Sequence, residues 1–330
     1  MELVQPLDNG SYIKNHKHRK GLKFDKDLLF YVLLLAWPVL QFCVFYIYVN
    51  LNSFLLVFQH YDGLTSKFVW NSGNDFFKSF SDAFANTTAT KKEYASMIGK
   101  SALSWATGLC FGTFFAAIFS YYIYSKRLCS KTFKFILFLP SVIPSILLTL
   151  IYYYMTRDAI PEVMRVLFKV KDFKEMLDPS YSTFYPMVLV FNVITGFGSQ
   201  ILLYCGAMEQ INPSLVEAAK LDGCSPFKTF IHVILPSIMP TLGTFLVSGV
   251  ALFFTNQANL YNFWQAQLGN DYRGQMNIGY FLFWFVSCGK DEGVNRANYP
   301  VGAALGLMCT AIAIPLTMLM RKFVKRWEAE

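Results

Sequence analysis

The chain has 330 residues, which is long enough for two soluble domains, but its composition excludes that arrangement. Apolar residues make up 54% and charged residues only 15%, whereas a soluble domain carries about 25% charged residues. The net charge of +8 comes mainly from basic residues in the two terminal segments and in two connections between the apolar stretches, so it indicates membrane topology and not a nucleic-acid-binding surface.

Six uncharged stretches are each long enough to cross a bilayer, which requires about 20 predominantly apolar residues. They are residues 28–58, 101–124, 135–156, 183–208, 237–263 and 299–320. The first is about twice as long as the apolar core of a signal peptide, so we expect it to remain as a membrane helix. The sequence therefore predicts an all-α membrane protein with six transmembrane helices.

Two apolar stretches have special features. The third contains Pro140 and Pro144 one helical turn apart, and because each removes a backbone hydrogen bond, we predict a bent helix. A seventh apolar run, residues 274–289, has only 16 residues and is rich in aromatic side chains. It is short for a span, so we predict an interfacial helix or a re-entrant segment, and favour the interfacial helix.

The basic residues predict the orientation of the spans. Residues 1–27, the second-to-third and fourth-to-fifth connections and residues 321–330 together hold 16 Lys and Arg against nine acids. The positive side faces the cytoplasm. We therefore predict a multi-pass protein of the cell (plasma) membrane with both termini cytoplasmic, an extracellular loop at 59–100, a transmembrane core at 101–320 and a cytoplasmic tail at 321–330.

The sequence contains no recognisable catalytic or metal-binding motif. The segment most similar to a phosphate-binding loop, residues 73–79, lacks the second glycine before Lys78. The seven cysteines form no C-x-x-C pair, and all Asp and Glu residues lie outside the six stretches. We predict that the chain is not an enzyme, holds no metal or cofactor, and uses a partner's energy for any uphill transport.

The fourth-to-fifth connection, residues 209–236, predicts two short cytoplasmic helices. Asn212 is a suitable N-cap and Pro213 suits the first helical position. The first helix should end at Leu221, with Gly223 in a left-handed conformation. Ser225 and Pro226 repeat the starting pattern for the second helix.

The second helix of this connection is predicted to be amphipathic. An i, i+3, i+4, i+7 spacing places four apolar residues on one face: Phe227, Phe230, Ile231 and Ile234. Pro236 is expected to end the helix before the fifth span.

The first helix of the connection has the residues of a docking surface. Ala218 and Ala219 allow close approach of another backbone, and Glu217 supplies an acid beside them. Two interpretations are open: the helices simply join two spans, or they dock into a groove of a separate soluble protein. The combination of small residues and an isolated acid favours docking.

Together these residues resemble a known motif. Glu217-Ala218-Ala219, followed by Asp222-Gly223 and Leu235-Pro236, resembles the EAA loop of ABC transporter permeases, in the carbohydrate-uptake branch related to maltose and glycerol-phosphate permeases. Residues 138–144, 303–306 and 315–317 also look like this family, so the resemblance covers roughly residue 101 to the end. Cys224 stands where the family usually has alanine.

The resemblance implies a binding-protein-dependent importer permease of a bacterial plasma membrane. Glu217, Ala218, Ala219, Asp222 and Gly223 would form the coupling helix and its turn, with Glu217 paired to a basic group of a cytoplasmic ATPase. The implied partners are a second homologous permease, two ATP-binding cassette subunits that bind ATP and magnesium, and an extracellular solute-binding protein.

Candidate substrate residues lie in the fourth and fifth spans. The end of the fifth span is rich in amides flanked by aromatic side chains, which suits the hydroxyls and ring faces of a sugar. The spacing of Asn256, Asn259 and Asn262 predicts one helical face. Because maltose-type permeases contact sugar through the matching segments, we nominate Asn192, Gly196, Thr255, Asn256 and Asn259.

Other interpretations of these amides and of the whole chain remain open. Amides also join membrane helices to one another. A permease for a different organic solute or an oxyanion is the nearest alternative, although an anion site would favour arginine. A polytopic receptor or anchor without transport would not need the EAA loop.

Overall fold

The computed structural model describes residues 26–85, 91–169, 176–178, 180–266, 273–287 and 296–329. The predicted cytoplasmic segment 1–27 therefore lies almost entirely outside the described residues. The chain divides into two compact units, Met1–Ser53 and Phe54–Glu330. Helix α1 (Lys26–Phe42), a π-helical segment (Cys43–Tyr48) and α2 (Val49–Leu56) follow one another without a break, and the division falls within α2.

In the second unit, α2 is followed by a small β-hairpin that the sequence did not predict. Strands β1 (Gln59–Asp62) and β2 (Lys67–Trp70) pair antiparallel, with Gln59 opposite Trp70. Asp62 shapes the turn by accepting hydrogen bonds from the Leu64 amide at 3.0 Å and the Thr65 hydroxyl at 2.7 Å. The hydrogen bond from Thr65 lowers the pKa of the Asp62 carboxyl below its usual value.

The rest of the second unit is helical. Its α-helices are α3 (Lys78–Ala85), α4 (Lys91–Thr107), α5 (Phe114–Tyr124), α6 (Ser130–Val142), α7 (Ser145–Tyr154), α8 (Ile160–Phe168), α9 (Phe184–Glu209), α10 (Pro213–Leu221), α11 (Pro226–Thr229), α12 (Leu235–Ser237), α13 (Met239–Ala251), α14 (Leu260–Ala266), α15 (Ile278–Ser287) and α16 (Asn298–Ala329). Short 3-10 turns lie at Gly73–Asp75 and Arg273–Gln275, and π-helical segments at Gly108–Thr113, Met155–Ala159 and Phe230–Ile234.

Several of these helices are suited to crossing a membrane. Four are long and apolar enough on their own: Leu29–Leu56, Lys92–Tyr124, Phe184–Glu209 and Asn298–Trp327. Two bent pairs qualify only together: Ser130–Val142 with Ser145–Phe168, at 100°, and Pro226–Ser237 with Met239–Ala251, at 69°. The predicted class, a helical membrane protein, is confirmed, and the described residues reach six spans if each bent pair counts as one.

The predicted bend in the third span is confirmed, and it is sharper than a kink. Ile143 is extended, with φ −78° and ψ 134°, which is the conformation that a following proline favours. Helix α7 begins directly after Pro144. Pro140 lies inside α6 without ending it. Of the two prolines, only Pro144 therefore stands at the break.

Helix α9 connects two apolar cores. Its first half packs Phe184 and Val188 against side chains of α14 and α15 such as Phe263 and Phe281. Its second half packs Ile201, Tyr204 and Met208 against α5 and against the segment after α10. Between the cores, a Cβ on Gly198 would lie 2.7 Å from the Cβ of Ser141, so the close crossing of α6 and α9 requires glycine.

The segment 274–289 does not lie on a surface. Residues 288 and 289 are outside the described part, and the rest forms the end of a 3-10 turn and α15, which is too short to span a membrane. Tyr280 and Phe281 are 3% and 1% exposed, inside the core around the first half of α9. The favoured interfacial helix is therefore wrong, because the aromatic side chains pack against other helices of the same chain.

Candidate functional site

The helix α10 forms as its sequence predicts. The Asn212 side chain accepts a hydrogen bond from the Ser214 amide at 3.1 Å, with Pro213 in the first turn. At the other end, the Gly223 amide donates to the Lys220 carbonyl at 3.1 Å and the Cys224 amide to the Ala219 carbonyl at 3.0 Å. Gly223 has φ +73°, so this is a Schellman ending that needs a left-handed residue.

One face of α10 and its turn is left uncovered. Glu217, Ala218, Asp222 and Gly223 are exposed, whereas Ala219 is only 7% exposed. Three large apolar side chains accompany them on the surface: Leu215, Leu221 and Phe227, at 52%, 89% and 68% exposure. We call Leu215, Ala218, Leu221 and Phe227 the coupling surface. Such a patch, placed on the predicted cytoplasmic side, is typical of a protein-binding site.

The second helix of the connection differs from its prediction. Phe230 and Ile234 are buried, but Phe227 and Ile231 are exposed, so the four residues do not share one buried face. From Phe230 to Ile234 the helix is π-helical, and the buried residues Phe230, Ile234 and Ile238 follow one another at intervals of four. The chain also passes Pro236 and bends only at Ile238.

The predicted fifth span is interrupted where the candidate substrate residues lie. Helix α13 ends at Ala251, and α14 begins at Leu260. Between them Ala258 and Asn259 have φ of +49° and +57°, which no continuous helix contains. The prediction that Asn256, Asn259 and Asn262 share one helical face is therefore wrong. We call residues 252–259 the polar turn.

Asn192 of α9 holds the polar turn in place. Its amide nitrogen donates to the Ala258 carbonyl at 2.8 Å, and its oxygen accepts from the Asn259 amide at 2.7 Å. Asn262 extends the network, because its nitrogen reaches the Ser145 hydroxyl at 3.1 Å and the Asn259 oxygen at 3.4 Å. In a membrane, such side chains satisfy backbone groups that a broken helix leaves free. The network thus connects α9, the polar turn, α14 and α7.

A second amide, which the sequence analysis missed, supports the polar turn from its other side. Asn277 is fully buried and donates to the Asn256 carbonyl at 2.9 Å, while its oxygen caps α15 at the Tyr280 amide. A Cβ on Gly279 would lie 2.5 Å from the backbone carbonyl oxygen of Asn256, so only glycine fits there. An amide directly before an apolar run is a helix-start signal, and that signal could have identified Asn277.

The structure brings together only part of the nominated set. Asn192 and Asn259 touch, and the Asn256 oxygen accepts from the Ala258 amide at 2.9 Å within the same turn. Thr255 and Asn256 are exposed, and Thr255 lines a cavity of about 390 Å³ beside α16. Gly196 is exposed one helical turn after Asn192, with open space around it.

Among the described residues, no three His, Cys, Asp or Glu are grouped to hold a metal.

Comparisons with known proteins agree with this architecture. Residues 108–328 match the family described as the binding-protein-dependent transport system inner membrane component. The probable ABC transporter permease protein MG188 of Mycoplasma genitalium is 30% identical over 166 residues, covering 44% of this chain and 50% of that protein. The maltose/maltodextrin transport system permease protein MalF of Salmonella typhimurium is 26% identical over 124 residues, covering 38% and 24%. The aligned part of the chain thus spans half or less of the length of these relatives.

A solved structure shares the fold over nearly the whole chain. It is a bacterial ABC transporter involved in the import of the acidic polysaccharide alginate, with a TM-score of 0.70 at 19% identity. The similarity covers 91% of this chain and 96% of the transporter chain.

Proposed function

The chain belongs to the family of binding-protein-dependent transport system inner membrane components, and we propose that it forms part of the path of an ATP-driven sugar importer. The family is one of transport subunits, which confirms the prediction of a permease and not an enzyme. The cargo we propose is a sugar or oligosaccharide. ATP and magnesium are bound by a partner ATPase.

The coupling role is assigned to α10 and its turn. Glu217 pairs with a basic group of the ATPase, the coupling surface enters a cleft of that subunit, and Gly223 sets the direction in which the chain leaves the cleft. The exposed apolar side chains of a helix that is otherwise capped at both ends support this role. Movement of α10 reaches the membrane helices through Phe230 and Ile234, which are buried against α5 and α9.

The proposed assembly has further partners. A second homologous permease, two ATPase subunits and an extracellular solute-binding protein complete it in the plasma membrane. A solved relative is described as an alginate transporter in complex with a pentasaccharide-bound periplasmic protein, which supports the binding-protein partner. The charge asymmetry of the loops supports cytoplasmic termini.

The proposed sugar site is the polar turn, and the interruption of the fifth span carries this proposal. Transporters often bind solutes at discontinuous helices, where the free backbone and polar side chains face the path. Asn192 and Asn259 fix the turn, which leaves Thr255, Asn256 and Gly196 exposed. Among the described residues, the hydrogen-bond network of Asn192, Asn259 and Asn262 consists of amides and a hydroxyl, which suit the hydroxyls of a sugar.

Replacing Asn256 by alanine tests this site. We expect uptake of the imported sugar to fall by about tenfold, because one lost hydrogen bond of a bound sugar contributes about 1 kcal/mol and the turn also loses its Ala258 contact. Radiolabelled uptake into cells, normalised to the permease in the membrane fraction, measures it.

The control is Asn256→Asp, which keeps an oxygen for the Ala258 amide but removes the amide donor. We expect this variant to lose uptake as well, since a sugar hydroxyl needs that donor. Undiminished uptake and unchanged sugar preference in Asn256→Ala would remove Asn256 from the site. If Asn256→Asp keeps full uptake while Asn256→Ala loses it, Asn256 stabilises the turn but does not bind the sugar through its amide donor.

A further inference from the structure

A cavity of about 690 Å³ lies on the face of α10 that points away from the coupling surface. Its walls are the end of α5, the following residues Lys126 and Arg127, the end of α9 and the side of α10. The Tyr121 hydroxyl donates to the Pro226 carbonyl at 3.0 Å and thereby joins α5 to the start of α11 beside the cavity. The cavity is a surface groove, because the charged side chains that line it are exposed.

The cavity is lined by both basic and acidic side chains. Lys126, Arg127 and Lys220 line it together with Glu209 and Glu217. In the part of the chain that the structure describes, none of these five comes within 4.0 Å of an opposite charge. Three cations and two carboxylates therefore face a space that is large enough for a ligand.

The backbone at Lys126 is a second observation. Lys126 has φ +49° at the end of α5, a conformation that glycine adopts without strain and that other residues adopt rarely. This left-handed residue ends α5 in the usual way, so Lys126 follows the helix directly and lines the cavity.

The position of the cavity at the end of a membrane helix indicates the kind of ligand. Tyr121, Ile123 and Tyr124 belong to the last turn of a helix that is apolar enough to cross the membrane, and the cavity begins there. Tyrosine is typical of the boundary between membrane and water. Basic pockets between membrane helices on the cytoplasmic side are suited to lipid headgroups.

We propose that this cavity binds the headgroup of a membrane phospholipid. Lys126 and Arg127 hold the phosphate, and the carboxylate of Glu209 accepts hydrogen bonds from hydroxyl or ammonium donors of the same headgroup, while Glu217 at the edge of the cavity is left for the ATPase. A headgroup that has a phosphate but no hydrogen-bond donor can contact the basic side chains of the site but not its carboxylate. The binding does not depend on which solute is transported, so its test can fail or succeed separately from the proposed function.

Native mass spectrometry of the full-length chain in mild detergent tests the proposal. Dioleoyl phosphatidylglycerol, whose headgroup carries hydroxyl donors, is compared with dioleoyl phosphatidylcholine, which has none. We expect occupancy by phosphatidylglycerol to exceed that by phosphatidylcholine, and to fall about tenfold or more in K126Q/R127Q because two basic contacts are lost. The charge-preserving variant K126R/R127K should bind as the parent does, which excludes misfolding as the cause.

The matched control is K322Q/K325Q, which removes two exposed basic residues from the same predicted face of the membrane, outside the cavity lining. It should retain phosphatidylglycerol. Equal occupancy by the two lipids, or equal loss in the two glutamine variants, would overturn the proposal. Displacement of phosphatidylglycerol by millimolar inorganic phosphate would also overturn it, because the ligand would then be a free anion.

Discussion

Replacing Gly223 by valine is expected to abolish most transport while the protein still enters the membrane. Gly223 has φ +73°, and no atom lies within 4 Å of the position of a Cβ, so the substitution acts through the backbone and not through a clash. An L-residue in this region costs roughly 1–2 kcal/mol, and a β-branched residue costs more. Because about 1.4 kcal/mol shifts a population tenfold, we expect sugar uptake to fall at least about tenfold.

Asparagine at the same position is the matched control, since it enters the left-handed region more readily than other residues. Gly223→Asn should therefore keep most of the uptake that Gly223→Val loses. Immunoblots of the membrane fraction should show both proteins at the parental level. If valine and asparagine have equal effects, the left-handed turn after α10 is not what coupling requires.

Replacing Asn192 by leucine is expected to destabilise the protein and stop uptake together. The substitution leaves the Ala258 carbonyl and the Asn259 amide without their partner, and each orphaned group costs about 1–3 kcal/mol. For a chain of this size we expect the apparent melting temperature in detergent to fall by at least about 4 °C. Thermal unfolding of the purified protein measures the shift.

A substitution close to Asn192 on the same helix serves as a control. It shows whether the loss of stability comes from the broken hydrogen-bond network or from the loss of any polar side chain in this helix. Thr195 is half-buried and, within the described part of the chain, donates only to the Phe191 carbonyl of its own helix, at 2.8 Å. Thr195→Val should therefore change the melting temperature by much less than Asn192→Leu. Equal shifts in the two variants would contradict the role of Asn192 as the support of the polar turn.

The sequence predicted those parts of the protein that are encoded by neighbouring residues. Both ends of α10 follow from Asn212, Pro213 and Gly223, which form a cap, a first turn and a left-handed stop within 12 residues. The break at Pro144 is local in the same way. The membrane spans can be predicted from the length of the uncharged stretches alone, because a bilayer excludes charged residues wherever the segment lies in the fold.

The polar turn could not be predicted, because its cause lies far away along the chain. A helix ending at Ala251 leaves backbone groups that Asn192 and Asn277 satisfy from other helices. From the sequence alone, Asn256, Asn259 and Asn262 fit a helical face equally well. The same limit applies to Gly279, whose closeness to Asn256 appears only in three dimensions.

The errors in the aromatic segments have a similar origin. Composition cannot tell whether an aromatic run meets lipid headgroups or other helices, and α15 packs its aromatic side chains inside the protein. In the second helix of the connection, a π-helical segment replaced the regular period, and a 3.6-residue pattern does not reveal that. The hairpin at 59–70 could not be predicted either, because its two strands have only four residues each.

Cross-linking from α10 tests the central claim most directly, which is that this helix docks on a cytoplasmic ATPase. Ala218 is exposed and Ala219 is 7% exposed, so cysteine at these adjacent positions compares an accessible site with a covered one. In a background without the native cysteines, three of which are exposed, we expect a thiol cross-linker to join Ala218→Cys, and not Ala219→Cys, to an ATP-hydrolysing protein in the membranes. Labelling of Ala218→Cys only from the outer medium, or the absence of any such adduct, would contradict the account.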